Sequence, residues 1–389
     1  MTLELSKLTT EVRAMGETLA TRERKTADLV QLARQWLTEY ADQNEALRHP
    51  ARAMQTAAIP TREPLNLTPP LPPIPDKFTF IAADGTQIQP DSHEVAYYYL
   101  INVGSMVYRH GSGQAPEAHS RPTVGYSDDD IYDQGQPVSG NLLDIRRDLA
   151  EITTLAELSE DQSDGAPVAA VVDGTLILWT LKDTPVAYQA EKARQYLDAL
   201  DRIQAAGAGL AACISRPRRG EVARLLHLAN VEGDPRRASE EPNPLQRLSD
   251  HAIFAALPPG ARSALFVSPA SINHDHYARA GHTVHFFYAN LAAEGHEPAI
   301  ARIEIPAWVA GDGDRLALVH AAIVAQARIT GDYPYALVRA DELAFISGPE
   351  REAFADMVTR SLLHAGVRAT LSPKRHYKTL TRQGKRKFR

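Results

Sequence analysis

Cysteine is almost missing from this chain. Cys213 is the only one in 389 residues, so no disulfide can form within the chain. Its apolar setting, Leu210 to Ile214, marks it as a core residue suited to a reducing cytoplasm. No apolar run approaches the roughly 20 residues a membrane span needs. The N-terminus is amphipathic and carries acids, which does not read as a signal peptide. A cytoplasmic protein with no membrane partner is therefore expected. No Gly-x-x-x-x-Gly-Lys-Ser/Thr loop occurs anywhere, so any work on duplex nucleic acid would draw its energy from another chain. The cluster Asn273-His274-Asp275-His276 with His282 lacks zinc-ligand spacing. Asp128, Asp129, Asp130 and Asp133 lack the glycine and terminal glutamate of a calcium loop and read as a solvated acidic stretch.

What the chain does have is the composition of a globular protein, 44% hydrophobic and 23% charged, at a length that suits one large or two medium domains. Its net charge is −6, unevenly spread. Eight Lys or Arg and no acid lie between Ser372 and Arg389, and removing them leaves −14 for the remainder. An acidic body with a basic tail suits a metal site beside a phosphate-binding arm, the alternative being a solvated tail with no partner.

The chain divides by composition. Residues 1–58 form a helical arm, where Leu8, Val12, Met15 and Leu19 make one apolar stripe at 4-3-4 spacing. Such a stripe needs a partner surface, and a role in dimer contacts is expected. Residues 59–76 hold seven prolines, the composition of a stiff polyproline spacer. Residues 77–368 alternate strands with helices, and 369–389 form the basic tail. The class is α/β with an antiparallel portion. Residues 110–138 are expected to be a long loop, and Gly104 a turn or bulge between two short strands.

One phrase occurs twice. Phe78-Thr79-Phe80-Ile81-Ala82-Ala83-Asp84-Gly85-Thr86 and Val168-Ala169-Ala170-Val171-Val172-Asp173-Gly174-Thr175 each read as a buried strand ending in Asp-Gly-Thr. Asp-Gly alone is a common turn, and a hairpin after Asp173 stays open. If the two strands lie parallel and adjacent, both carboxylates emerge at one end of one sheet, where ligands bind. Between them an amphipathic helix, Asn141 to Glu160, makes a crossover connection. It carries Glu151 and, six residues on, Glu157. A strand acid, a helix acid and a second strand acid, in that order, are the ingredients of an RNase H-like site for hard divalent ions acting on a phosphodiester.

Over roughly residues 75–365 the chain resembles the NurA family, nuclease partners of the HerA DNA translocase. The resemblance rests on Ala83-Asp84-Gly85-Thr86, Val172-Asp173-Gly174-Thr175-Leu176 and Ser215-Arg216-Pro217. It continues in Gly260-Ala261-Arg262-Ser263 before Leu265-Phe266, in Phe286-Phe287-Tyr288, and in Tyr333-Pro334 before Ala340-Asp341 and Leu343-Ala344. It implies an RNase H-like mixed sheet core flanked by helices and a Mn²⁺-dependent (or Mg²⁺-dependent) deoxyribonuclease of the 5′–3′ exonuclease and single-strand endonuclease type. It further implies a homodimer that processes DNA ends in double-strand break repair with a HerA-like hexameric ATPase. Asp84 and Asp173 carry over as metal ligands, Glu151 is chosen as the helix ligand with Glu157 as its alternative, and Tyr333 matches an active-site tyrosine. Eight residues later the family has His where this chain has Asp341. A carboxylate is still a hard ligand, but it cannot act as a neutral imidazole. Arg216, Arg218 and Arg262 are expected to contact DNA phosphates, with Arg219 a further candidate. Two rival readings stand: a non-catalytic DNA-binding or scaffold subunit of a translocase complex, and an RNase H-like ribonuclease.

Overall fold

The computed structural model describes residues 5–367 apart from 93, 134–135, 139, 163–164 and 185. The expected basic tail, 369–389, lies outside the described residues.

In chain order the elements open with α1 (Thr9–Glu39), α2 (Asn44–Met54), β1 (Ile59–Pro60), β2 (Phe78–Ile88), β3 (Tyr99–His110) and β4 (Glu117–Gly125). They continue with α3 (Asp128–Ile131), β5 (Tyr132–Asp133), β6 (Gln136–Pro137), α4 (Asn141–Glu160), β7 (Val168–Asp173), α5 (Val186–Ala205) and β8 (Gly209–Ser215). Then come α6 (Glu221–Asn230), α7 (Pro235–Glu240), α8 (Asp250–Phe254), β9 (Phe266–Val267), β10 (Val284–Asn290) and β11 (Ile300–Pro306). The last helices are α9 (Ala307–Ala310), α10 (Gly313–Thr330), α11 (Tyr335–Ala344) and α12 (Gly348–His364). This is the expected mixed α/β class. Among the described residues no helix is long and apolar enough to cross a membrane.

Two compact units divide the chain. The first comprises Met1–Ile74, Gly174–Ile177 and Ala211–Pro334. Its strands run β1-β9-β10-β11-β8, each paired antiparallel with the next. Trp36 of α1, Leu47 of α2, Leu225 and Leu226 of α6, and Phe266, Phe286 and Tyr288 of the strands share one apolar core. The helical arm is thus split in use. Its second half buries Ala33 and Trp36, while Leu5, Leu8, Val12, Met15 and Leu19 stay exposed.

The proline-rich segment is no spacer. Leu65 is buried and its N–H donates to the Ala41 carbonyl at 2.9 Å. Thr61 Oγ1 donates to Leu265 O at 2.9 Å, and Ile59 pairs with Val267. Prolines set its extended backbone, but the few apolar side chains between them find pockets, and burial outweighs the stiffness.

The second unit comprises Pro75–Asp173, Leu178–Leu210 and Tyr335–Arg389. Its strands run β7-β2-β3-β4, with β7 parallel to β2 and the other pairs antiparallel. This is the expected parallel partnership of the two Asp strands. The register matches Ala83 with Val172, so Asp84 and Asp173 follow at the same level.

Three local expectations are corrected. β2 does not stop at its acid but continues through Asp84, Gly85 and Thr86 to Ile88, paired with β3 throughout. Gly104 is no turn, because β3 is continuous across it. The expected loop at 110–138 contains β4, an edge strand exposed along all but its last residue. With neither face buried, β4 shows no apolar alternation to read.

The candidate metal centre

Asp84, Glu151, Asp173 and Asp341 all belong to the second unit. Each arrives from a different element, and the local sequence explains how. Asp84 and Asp173 follow apolar runs that bury β2 and β7. After Asp173 the chain turns sharply, with Gly174 at φ +95°, a conformation that favours glycine. The turn is pinned within the first unit. Gly174 N–H donates to Cys213 O at 3.0 Å. Thr175 Oγ1 and Leu176 N–H donate to Glu304 Oε2 at 2.6 and 3.0 Å. Tyr277 hydroxyl donates to Leu176 O at 2.8 Å. The hairpin alternative after Asp173 is therefore not what forms.

Helix α4 supplies a polar stripe at Asp144, Arg147, Asp148 and Glu151, the i, i+3, i+4, i+7 positions that share one face. Gln87 Nε2 of β2 donates to Asp144 Oδ1 at 2.5 Å. Arg147 donates through Nη2 to Asp148 Oδ1 at 2.9 Å and lies 3.1 Å from Glu151 Oε1. Gly85 explains how close α4 comes. A Cβ there would stand 2.5 Å from Glu151 Oε1 and 2.8 Å from Arg147 Cγ. Gly85 is thus kept by space at the helix–strand contact rather than by a turn.

Between the two helix candidates the geometry favours Glu151. It is 7% exposed, and the negative charges of Asp148, Asp84 and Asp173 all act on it. Burial first, then that repulsion, raises its pKa well above the ordinary range against the opposing pull of Arg147. Glu157 instead faces outward, paired with Arg121 of β4.

Asp341 comes from α11, which the sequence reading did not recognise as a helix. Its signal was present in the spacing of Ala336, Leu337, Ala340 and Ala344, all buried. The Asp84 pKa is pushed up to about 7, chiefly by burial and next by the charge of Asp173. Its own Gly85 N–H, donating at 2.8 Å, opposes this, and Asp341 adds to the rise by repulsion and by a side-chain hydrogen bond. Burial also raises Asp148, against the pull of Arg147.

The donor set is all carboxylate, the chemistry of a hard divalent cation such as Mg²⁺ or Mn²⁺. Burial and the negative charges of Asp173 and Asp341 together favour the protonated form of Asp84. As they stand, no three His, Cys, Asp or Glu side chains among the described residues are gathered closely enough to enclose an ion. A cation among these carboxylates would relieve the mutual repulsion that helps raise Asp84 and Glu151, so the donor chemistry suits a metal.

The remaining candidates belong to the first unit. Arg216, at φ +47°, and Arg218 are exposed in the loop after β8. Arg219 pairs with Glu221 at 3.1 Å. Tyr333 is half-buried, and its N–H donates to Thr330 Oγ1 at 3.2 Å. Arg262 is corrected: it is 7% exposed and grips Glu63 in a two-pronged pair at 2.7 and 3.0 Å, so its guanidinium is spent on the fold.

The sequence matches the NurA domain family over residues 78–346, which takes in all four acids. The fold is similar to that of the NurA nuclease from Sulfolobus solfataricus, with 11% identity, a TM-score of 0.53, and 95% of this chain and 99% of that chain covered. A structure of NurA with manganese aligns at 10% identity and a TM-score of 0.41, over 75% of this chain and 91% of that one. The RNase H1 named LC9 aligns at 12% identity and a TM-score of 0.23, over 44% and 76%. No curated protein matches significantly.

Proposed function

From the chain's membership of the NurA domain family, a family of nucleases, we propose that it is a divalent-metal-dependent deoxyribonuclease that processes DNA ends. The observation that carries this reading is the carboxylate cluster Asp84, Glu151, Asp173 and Asp341, in which Asp84 holds a proton up to about pH 7. Asp84 and Asp173, with Glu151 and Asp341, would hold Mn²⁺ or Mg²⁺. Bound there, the cation supplies neutralisation of the phosphodiester and acidification of water.

The chain's own residues have distinct parts in this. Arg147 holds Glu151 and Asp148 so that the helix acids keep their rotamers. Asp341 is the solvent-exposed member of the set and is hydrogen-bonded to Asp84. Arg216 and Arg218, exposed in the loop after β8, bind substrate phosphates. Tyr333 orients or stacks on the nucleic acid near the scissile bond. The imidazole role that Asp341 cannot play is absent from this scheme.

Two further parts of the proposal concern partners. The chain carries no nucleotide-binding loop of its own, which supports work beside a HerA-type hexameric ATPase. The exposed stripe Leu5, Leu8, Val12, Met15 and Leu19 supports self-association as a homodimer.

The test is cleavage of end-labelled single- and double-stranded DNA, and of matched RNA, with Mn²⁺, Mg²⁺ or EDTA, beside Asp173→Ala. Metal-dependent cutting of DNA that vanishes in the variant is expected. RNA cutting alone would favour the ribonuclease reading. No cutting, with or without an added ATPase partner, would favour the non-catalytic one.

A further inference from the structure

We infer that Asn102 and Gly104 of β3 are positioning residues for Asp341: together they seat helix α11 against the sheet at the height where its acid meets Asp84. This rests on the nuclease reading above, because it takes Asp341 as part of the metal centre.

Two contacts define the seat. Gly104 is the cross-strand partner of Asp84, and directly opposed residues of an antiparallel pair point to the same face. On that face the backbone of α11 lies against Gly104. A Cβ there would stand 2.1 Å from Ala340 O, 2.5 Å from Ala344 N and 2.9 Å from Leu343 C. Those are backbone atoms of a helix, which cannot swing aside as a side chain does. Space rather than backbone conformation demands the glycine.

Two residues along β3 on the same face, Asn102 is buried, at 6% exposure. Its Nδ2 donates to Leu343 O at 3.0 Å and to Ala344 O at 2.9 Å. The last carbonyls of a helix have no partner within it, so Asn102 caps the C-terminus of α11 from the sheet. Ser120 Oγ of β4 donates to Asn102 Oδ1 at 2.9 Å, which fixes the amide orientation. The seat and the acid are contiguous, since Ala340, pressed on Gly104, precedes Asp341, hydrogen-bonded to Asp84. Because a reacting geometry tolerates displacement of no more than about 1 Å without a rate loss near a hundredfold, a helix unseated by one methyl group moves its acid out of register.

The experiment measures cleavage of labelled DNA against Mn²⁺ concentration for the full chain, Asn102→Ala and Ser120→Ala. Folding is checked by circular dichroism melts. Asn102→Ala is expected to raise the half-saturating Mn²⁺ concentration by about 10- to 100-fold, with much of the rate returning at saturating Mn²⁺. The same substitution is expected to change cleavage little when Asp341→Asn is already present. Ser120→Ala, which leaves the cap in place and only frees its orientation, gives a smaller shift of the same kind and serves if Asn102→Ala fails to fold. A folded Asn102→Ala, or Ser120→Ala in its stead, with unaltered Mn²⁺ dependence overturns the inference. So does an equal loss with and without Asp341, which a general weakening of the fold would produce. Failure of the underlying reading looks different: the wild-type chain would then cut no DNA, or Asp84→Ala would keep full metal-dependent cleavage, whatever Asn102→Ala does.

Discussion

Each unit gathers a cluster of carboxylates, and the two are balanced in different ways. In the first unit Arg302, 1% exposed, donates to Glu221 at 2.7 Å and to Glu304 at 2.9 Å, and lies 3.6 Å from the centre of the Phe286 ring. Asp250 nearby accepts from the N–H groups of Glu221, Val222 and Ala223 at 2.9 to 3.0 Å and from the Tyr288 hydroxyl at 2.9 Å. It thereby caps α6, whose own N-cap residue, Gly220, has no side chain to do so. These acids are matched by donors and serve the fold, although burial still pushes Asp250 up to about 6. In the second unit Arg147 faces Glu151, Asp148 and Asp144, while burial and the charges of Asp173 and Asp341 hold the Asp84 pKa up to about 7. Carboxylates brought together so that they repel one another and raise the pKa of a member are the mark of a site suited to an external cation.

The sharpest way to break the comparison is to remove an acid from each cluster. Asp84→Ala is expected to lower DNA cleavage by about a thousandfold or more, the scale of several kcal/mol of charge stabilisation. Steady-state rates on labelled DNA measure it, and the melting temperature should not drop. Arg302→Met is expected to do the reverse. It strands Glu221 and Glu304 without their cation, at a cost of about 3–5 kcal/mol, read by urea unfolding. Converting Glu221 and Glu304 to apolar residues of similar volume in the same chain should recover most of that loss, because the penalty lies in the unpaired charge.

A pH series sharpens the contrast further. Folded Asp84 holds its proton to about pH 7, whereas an unfolded aspartate releases it near 4. Between those values the folded state binds the extra proton, so this group's contribution makes stability fall as pH rises from about 4 to about 7. Melts in EDTA should show that slope, Asp84→Asn should flatten it, and Mn²⁺ should oppose it, since metal binding needs the deprotonated ligand. The smallest effect separates the arginines. Arg216→Ala or Arg218→Ala should each lessen the salt dependence of DNA binding by about one unit of slope and leave stability alone. Arg262→Ala should destabilise the fold through Glu63 and leave the slope unchanged.

Why was so much of this site visible in sequence, and what hid the rest? Asp84, Asp173 and Glu151 announce themselves because local features carry them: two apolar strand runs, a repeated tripeptide and an amphipathic helix between. The parallel register that joins them follows from that order. Asp341 is legible only through the resemblance, because Pro334 interrupts the pattern just before the short helix that carries it. Gly85 and Gly104 misled for a single reason. A glycine kept for the close approach of a helix distant in sequence leaves the same mark as one kept for a turn. Arg262 misled likewise, since its partner Glu63 lies 199 residues away and no local pattern reveals a pair that distant. Glu304 gave no signal either. It reads as one more residue of an apolar strand, yet it holds the turn that follows Asp173.

The central claim is that the cluster around Asp84 is completed by a divalent cation and the cluster around Arg302 is complete already. Calorimetric titration of Mn²⁺ into the wild-type chain, Asp84→Asn and Asp250→Asn tests it most directly. Saturable binding to the wild type and to Asp250→Asn, lost in a folded Asp84→Asn, is the predicted result. Undiminished binding by Asp84→Asn would contradict the account.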